Sequence, residues 1–327
     1  MRPFIYLPLW FLRAKFFGRK RPLQTVLFVS NQCNLACRHC CVYEKEKPLI
    51  KSFSQIEEEL QYSYNLGSRF VDFEGGEPFL WQENGKNIND LVRLAKRIGF
   101  FSTTITTNAQ QPFNQCVADS IWVSLDGMKS EHDKIRGEGT FERLVENLAQ
   151  NKHPKININM VINALNYQSV EETIVWASQQ ANIQSVSLNF HTPYPQTEYL
   201  FLDWNLRHEI IDKIIQLKKS GYPITNSISG LKLMKSNKFK KYCWLTNFIL
   251  PDGMRLDECQ GKTQNICDLC GFCMAGEITS MFHFKMDTIF AALRLRVKNN
   301  TKKIVSLQNG KTENNIHHQS TGGDRLL

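Results

Sequence analysis

Apolar runs and helical stripes alternate along the first two-thirds of the chain. Leu23 to Val29 reads as a strand, and so do Phe70 to Phe73 and Phe101 to Thr107. Ile121 to Leu125, Ile156 to Ile162 and Val186 to Phe190 continue the series to six. Between them lie stripes at helical spacing. Ile56, Leu60 and Tyr64 follow a Ser54-x-x-Glu57 capping box. Ile88, Leu91, Ala95 and Ile98 form the next stripe, stopped at Gly99. Phe141, Leu144 and Leu148 mark another, Ser169-x-x-Glu172 caps the one after it, and Ile210, Ile211, Ile214 and Leu217 line the last. Six βα units in succession predict a parallel sheet with right-handed crossovers. Curved on itself, such a sheet is a partial (β/α)6 TIM-like barrel of the α/β class. Beyond about residue 225 the alternation stops and cysteines take over, which predicts a small Cys-rich C-terminal extension. Residues 284–297 again read as a helix, with Ile289, Phe290, Leu293 and Val297 on one stripe, and the last twenty residues are polar. The expected organisation is therefore an N-terminal segment 1–22, a barrel 23–225, a metal-cluster region 226–283, and a helix with a polar tail 284–327.

Charge changes the picture at the N-terminus. The chain of 327 residues carries a net charge of +9, yet no acidic residue occurs before Glu44. Arg13, Lys15, Arg19, Lys20 and Arg21 are interleaved there with Phe4, Trp10, Phe11, Phe16 and Phe17. The apolar run is far short of the ~20 residues that span a bilayer. Basic residues follow it rather than precede it, which is wrong for a secretory signal. Two readings stand: a helix lying on an anionic membrane surface, or a helix that caps the barrel and buries its aromatics. No nucleic-acid-binding motif accompanies the charge, so no nucleic-acid partner is expected.

The candidate chemistry lies in the ten cysteines. Cys33, Cys37 and Cys40 stand as C-x3-C-x2-C directly after the first strand. Three thiolates at this spacing can hold three irons of a cubic iron–sulfur cluster and leave the fourth iron open for a ligand. Zinc is the alternative, although it prefers paired C-x2-C or Cys/His sets. Clustered thiols point to metal rather than disulfides, and metal with free thiols to a reducing, cytoplasmic setting. Every candidate motif falls at the carboxyl end of a predicted strand: the cysteine loop, Glu74-Gly75-Gly76-Glu77-Pro78, Asn108, then Ser124 and Asp126. Active residues of such barrels sit at that end.

The cysteine triplet with Gly-Gly-Glu-Pro about forty residues later resembles the radical S-adenosylmethionine (radical SAM) enzymes. One departure is His39, where the family usually has an aromatic residue before the third cysteine. The resemblance implies a [4Fe–4S] cluster whose open iron chelates SAM, reductive cleavage to a 5′-deoxyadenosyl radical, and hydrogen abstraction from a substrate. It implies SAM contacts from Gly75, Gly76 and Glu77, and from Ser124 and Arg136 in Ser124-Leu125-Asp126-Gly127 and His132-Asp133-x-x-Arg136-Gly137. No catalytic residue beyond these ligands is assigned, and Asp126 stays between a site role and a turn former. Cys243-x9-Gly253-x5-Cys259 and Cys267-x2-Cys270-x2-Cys273 resemble the SPASM/Twitch extensions that carry auxiliary iron–sulfur clusters. Four of these five suffice for one cluster, with zinc as the rival. The Pro251-Asp252-Gly253 turn fits a hairpin presenting Cys243 and Cys259. The layout implies a peptide or protein maturation step and a reductant such as flavodoxin or ferredoxin. The alternatives are the same chemistry on a membrane-associated lipid or isoprenoid, and a non-catalytic metal-binding scaffold.

Overall fold

The computed structural model describes residues 3–44 and 46–294. An N-terminal helix α1 (Pro3–Phe16) leads into β1 (Gln24–Phe28), followed by α2 (Phe53–Leu66) and β2 (Phe70–Glu74). A two-residue hairpin, β3 (Gln82–Glu83) and β4 (Lys86–Asn87), precedes α3 (Ile88–Ile98). Then come β5 (Ser102–Thr107), β6 (Ser120–Ser124), α4 (Lys129–Arg136), α5 (Thr140–Ala149) and β7 (Ile156–Ile162). α6 (Val170–Gln179), β8 (Ile183–Phe190), α7 (Trp204–Lys219) and α8 (Ile228–Ser236) complete the alternating part. β9 (Thr246–Ile249), β10 (Arg255–Leu256), α9 (Gln260–Thr263), α10 (Cys273–Phe282) and α11 (Met286–Arg294) follow.

The sheet runs β10-β9-β1-β2-β5-β6-β7-β8, and its two edge strands do not pair. It is an open, partial barrel of parallel strands with one antiparallel edge strand, β10. All six predicted strands are present. A seventh parallel strand is not legible locally: β9 pairs with β1 from within the segment where alternation had stopped, Gln24 facing Thr246. The helix cap at α2 also differs from expectation. Ser52, not Ser54, is the N-cap, accepting from the Gln55 N–H. Gly99 ends α3 in a left-handed conformation, as predicted. The predicted stripe of α11 extends to Val297, which lies outside the described residues, as do His317, His318 and the polar tail.

Strand alternation sorts the residues between two faces. Leu27, Phe73, Ile105, Val123, Ile158 and Leu188 point outward and are fully buried under the helices. The opposite set faces the lumen, where Phe28, Trp122 and Val161 stand among polar side chains tied by cross-strand bonds. Gln24 bonds Asp72, Glu74 accepts from Thr106 at 3.3 Å, Ser185 donates to Asn157 at 2.7 Å, and Asn189 donates to Asn159 at 3.0 Å. Burial lifts Asp72 to about 6 and Glu74 to about 7. Among the described strand residues of this face there is no Lys or Arg.

α1 caps the amino ends of the strands. The Tyr6 hydroxyl donates to Gly67 O at 2.6 Å, and Trp10 Nε1 donates to Arg21 O at 2.9 Å. Trp10 and Ala14 pack with Leu23, Leu245, Ile278 and Phe282 in a second, smaller core. The capping reading holds for one stripe of α1; the other stripe is exposed.

Candidate active site and a second thiol cluster

The cysteine loop leaves the carboxyl end of β1, and three other elements close on it. Gly76 N–H donates to Ser30 O at 2.9 Å and Glu77 N–H donates to Gln32 O at 2.8 Å, fastening the loop after β2 to the cysteine loop. This approach explains both glycines. A Cβ on Gly75, whose φ is +146°, would lie 2.3 Å from Ser30 O, and one on Gly76 would lie 1.9 Å from Gln32 O. The space a side chain would need is filled by protein backbone, so the glycines serve the docking of the two loops. Glu77 is completely buried. Its carboxylate accepts from Thr107 Oγ1 at 2.8 Å, Asn108 N–H at 2.7 Å and Phe79 N–H at 3.2 Å, tying the end of β5 to the same junction. Burial outweighs these bonds and lifts it to about 7.

From β5, Asn108 donates to Cys33 Sγ at 3.6 Å and to Asn34 Oδ1 at 2.8 Å. From α4, Arg136 Nη1 donates to Cys37 Sγ at 3.8 Å. Within the loop, Leu35 N–H reaches Cys33 Sγ at 3.4 Å and Tyr43 N–H reaches Cys40 Sγ at 3.3 Å. Burial pushes the Cys37 thiol up to about 11, with Arg136 pulling the other way. Donors aimed at sulfur favour the thiolate, the form that binds metal. The donor set thus fits an iron–sulfur group held by Cys33, Cys37 and Cys40.

Arg136 is not a surface ion pair, nor is Asp126 merely a turn former. Arg136 Nε donates to Asp126 Oδ2 at 2.7 Å, and both side chains are buried. Asp126 Oδ1 accepts from Val161 N–H at 3.0 Å. Burial opposes the charge on Asp126, but Arg136 outweighs it and holds the carboxyl below its usual range. Burial likewise opposes Arg136, and Asp126 outweighs it. His39 fills the third side, its Nε2 3.7 Å from Asp126 Oδ2. Ser124 sits half-buried at the lumen end of β6. The cysteine loop, Glu77, Asn108, Asp126, Arg136 and His39 are thus brought into contact, while Ser124 stands at the end of β6, close to Asp126 in sequence. Ten-residue spacing between an aspartate and an arginine carries no local signal of that pairing.

The C-terminal thiols form a second group, drawn from the residues flanking β9 and β10 and from the loop before α10. The hairpin β9–β10, turning at Gly253 with φ +85°, brings Cys243 before it and Cys259 after it into contact. The Cys243 thiol is hydrogen-bonded to Cys259, which raises Cys243 and lowers Cys259. Cys267 and Cys270 raise the Cys243 thiol, and Cys259 raises both of them in turn. Their loop is seated on β8: Gly271 N–H donates to Thr192 Oγ1 at 2.9 Å, and a Cβ on Gly271 would lie 1.8 Å from Phe190 O. Cys273 stands apart at the start of α10. It is fully buried, its N–H donates to Asn189 Oδ1 at 3.0 Å, and burial pushes its thiol up to about 12.

Arg207 is completely buried beside Cys270 and Cys273. Its Nη2 donates to Cys270 O at 2.7 Å and its guanidinium stacks on Phe190 and Trp204 at 4.6 and 4.7 Å from the ring centroids, while Nε and Nη1 find no hydrogen-bond partner among the described residues. A buried cation left this way calls for a nearby negative charge, and a metal–thiolate group supplies one. Among the described residues no three His, Cys, Asp or Glu side chains are grouped tightly enough to hold a single metal ion. Cys116 is buried in the core, as expected of an isolated thiol.

Residues 27–177 match the family described as the Radical SAM superfamily. Fe-coproporphyrin III synthase of Methanosarcina barkeri is 24% identical over 67% of this chain and 60% of its own length. Mycofactocin maturase MftC of Mycolicibacterium smegmatis is 23% identical over 50% of this chain and 43% of its own. The chain therefore spans roughly half the length of the curated relatives it matches. In fold, it is similar to Streptococcus suis SuiB bound to S-adenosylmethionine, with a TM-score of 0.60, 17% identity, and coverage of 80% of this chain and 67% of that one. It is also similar to anSMEcpe with bound AdoMet, with a TM-score of 0.56, 16% identity, and coverage of 82% and 81%.

Proposed function

We propose, from the match of residues 27–177 to the Radical SAM superfamily, that the chain is a radical SAM enzyme acting on a peptide or protein. Cys33, Cys37 and Cys40 would hold a [4Fe–4S] cluster, and Ser124, Arg136 and the Gly75-Gly76-Glu77 backbone would border SAM. When bound, these groups supply the reductive cleavage that yields a 5′-deoxyadenosyl radical. The protein's own work is to hold the cysteine loop still, direct N–H groups at sulfur and shape the lumen. The observation that carries the reading is the convergence of Asn108 on Cys33 and Arg136 on Cys37, beside the loop docked by Gly76.

Cys243, Cys259, Cys267 and Cys270 would hold one auxiliary cluster of the SPASM/Twitch type, with Arg207 as a neighbouring countercharge. Cys273 would be structural: the thiols acting on Cys243 are Cys259, Cys270 and Cys267, while Cys273 is fully buried at the start of α10. We place the protein in a reducing compartment with a flavodoxin or ferredoxin as electron donor.

The lumen favours a peptide among the substrate classes considered. Its asparagines, serines, threonines and two carboxylates suit amide groups and cationic side chains. The same face carries Phe28, Trp122 and Val161 among these polar groups, and its described strand residues include no Lys or Arg to meet a polycarboxylate such as a coproporphyrin. Relatives in fold point the same way: SuiB has been solved bound to precursor peptide SuiA. The test is iron, sulfide and zinc analysis with electron paramagnetic resonance after anaerobic reconstitution. The wild type should hold two clusters, and each of two variants one: C33A/C37A/C40A and C243A/C259A/C267A/C270A. Zinc retained by the first variant but not by the second would assign zinc to the C-terminal site. Two clusters in the C243A/C259A/C267A/C270A variant would overturn the ligand assignment.

A further inference from the structure

α1 is apolar on both sides, and only one side is covered. The inner stripe of Tyr6, Leu7, Trp10, Phe11 and Ala14 packs on Leu245, Ile278 and Phe282. The outer stripe of Ile5, Leu9, Leu12 and Phe16 recurs at helical spacing and stays exposed. Phe4 and Phe17 flank it at 90% and 75% exposure. Phe284 extends the face through ring contacts with Phe11 and Phe16, at 5.5 and 6.5 Å between centroids, and Met286 and Phe290 on α11 are exposed beyond it. A helix that is apolar all round belongs in a core or in lipid, and a contiguous apolar surface of this kind marks an interaction site.

Charge decides the partner. Lys15 lies 5.7 Å over the Phe284 ring, and Arg13, Arg19, Lys20 and Arg21 stand in the same segment. Residues 1–43 contain no Asp or Glu, and Asp287 on α11 is engaged by Ser229. An apolar face with Lys15 against it and four more cations in the same segment complements acyl chains under anionic headgroups. Among the described residues no helix is long and apolar enough to cross a membrane, so the contact would be with the surface.

We propose that α1 and the Phe284–Phe290 segment dock the protein peripherally on an anionic bilayer. The face lies at the amino ends of the strands, where Tyr6 meets Gly67 and Trp10 meets Arg21, while the cysteine loop lies at the carboxyl ends. Docking therefore points the barrel mouth away from the bilayer, toward a substrate in water. The membrane is an anchorage, not the source of a lipid substrate.

The test is flotation of the full chain with phosphatidylcholine vesicles, with and without about 30% phosphatidylglycerol. Binding should be at least tenfold stronger to the anionic vesicles and fall in about 0.5 M NaCl. The F4S/F16S/F17S variant should lose binding at least about tenfold, as should R19E/K20E, with circular dichroism and melting temperature unchanged because the inner stripe is kept. Wild-type protein that ignores anionic vesicles, or binds both compositions equally, would overturn the proposal. So would full binding by the triple serine variant. A concentration-dependent dimer that this variant abolishes, in the absence of vesicle binding, would assign the face to a second copy instead.

Discussion

Asp126 makes the sharpest demand on the site. It is wholly buried, with Oδ2 on Arg136 Nε at 2.7 Å and Oδ1 on Val161 N–H at 3.0 Å. Asp126→Asn keeps the size and removes the charge, leaving Arg136 buried without its counterion. Breaking a buried pair from one side costs about 3–5 kcal/mol. For a chain of this size, that lowers the melting temperature by about 6–10 °C, at about 2 °C per kcal/mol. The loss is in the pair rather than in either residue, so a cycle separates it. Arg136→Met added to Asp126→Asn should cost little more, leaving a coupling of about 2–3 kcal/mol. The pH dependence has a definite sign. The folded carboxyl is held below its usual range, so its contribution is present above the unfolded value near 3.9. It is lost as pH falls through the lower folded value, and wild type and variant converge in acid. Urea titrations of the four proteins at pH 7 and pH 3 measure this. A cost under about 1 kcal/mol, or a double variant that simply adds the single effects, would refute the account of the pair.

Three further outcomes follow from the same geometry. Gly76→Ala drives a Cβ into Gln32 O, so the cysteine loop must shift; we expect a loss of about 1–3 kcal/mol in urea and SAM binding at least about tenfold weaker by calorimetry. Glu74→Gln should stabilise the protein at pH 8 by about 1–3 kcal/mol and hardly at pH 5. The folded carboxyl sits at about 7, so its proton-linked stability is full below the unfolded value near 4.3 and disappears as pH rises through about 7; equal effects at both pH values would contradict this. Arg207→Met should lower the reduction potential of the C-terminal cluster by something on the order of tens of millivolts, read by redox titration with electron paramagnetic resonance, because a buried cation favours the reduced state.

The parallel core was legible because its signal is local. Strands and helices announce themselves by period, and the motifs fell at the strand ends because the alternation put them there. Features made by distant residues were less visible. β9 is four residues long and owes its place to β1, more than 200 residues earlier. The α2 cap was ambiguous in principle, since Ser52-x-x-Gln55 and Ser54-x-x-Glu57 are both capping boxes and packing chose the first. The docking role of the Gly-Gly-Glu-Pro glycines is also made at a distance, because the backbone that a Cβ there would meet belongs to Ser30 and Gln32 of the cysteine loop. Five C-terminal cysteines cannot be sorted by spacing, because the contact of Cys243 with Cys259 and the seating of the Cys267–Cys270 loop on Phe190 are made by residues distant in sequence.

The central claim is that the three N-terminal cysteines serve SAM cleavage. The direct measurement is anaerobic reconstitution with iron and sulfide, then reduction with dithionite in the presence of SAM, with 5′-deoxyadenosine quantified. The account predicts formation by the wild type and none by C33A/C37A/C40A, while C243A/C259A/C267A/C270A retains it. A protein with its full complement of iron that neither binds SAM nor forms 5′-deoxyadenosine would contradict the account and make the chain a metal-binding scaffold.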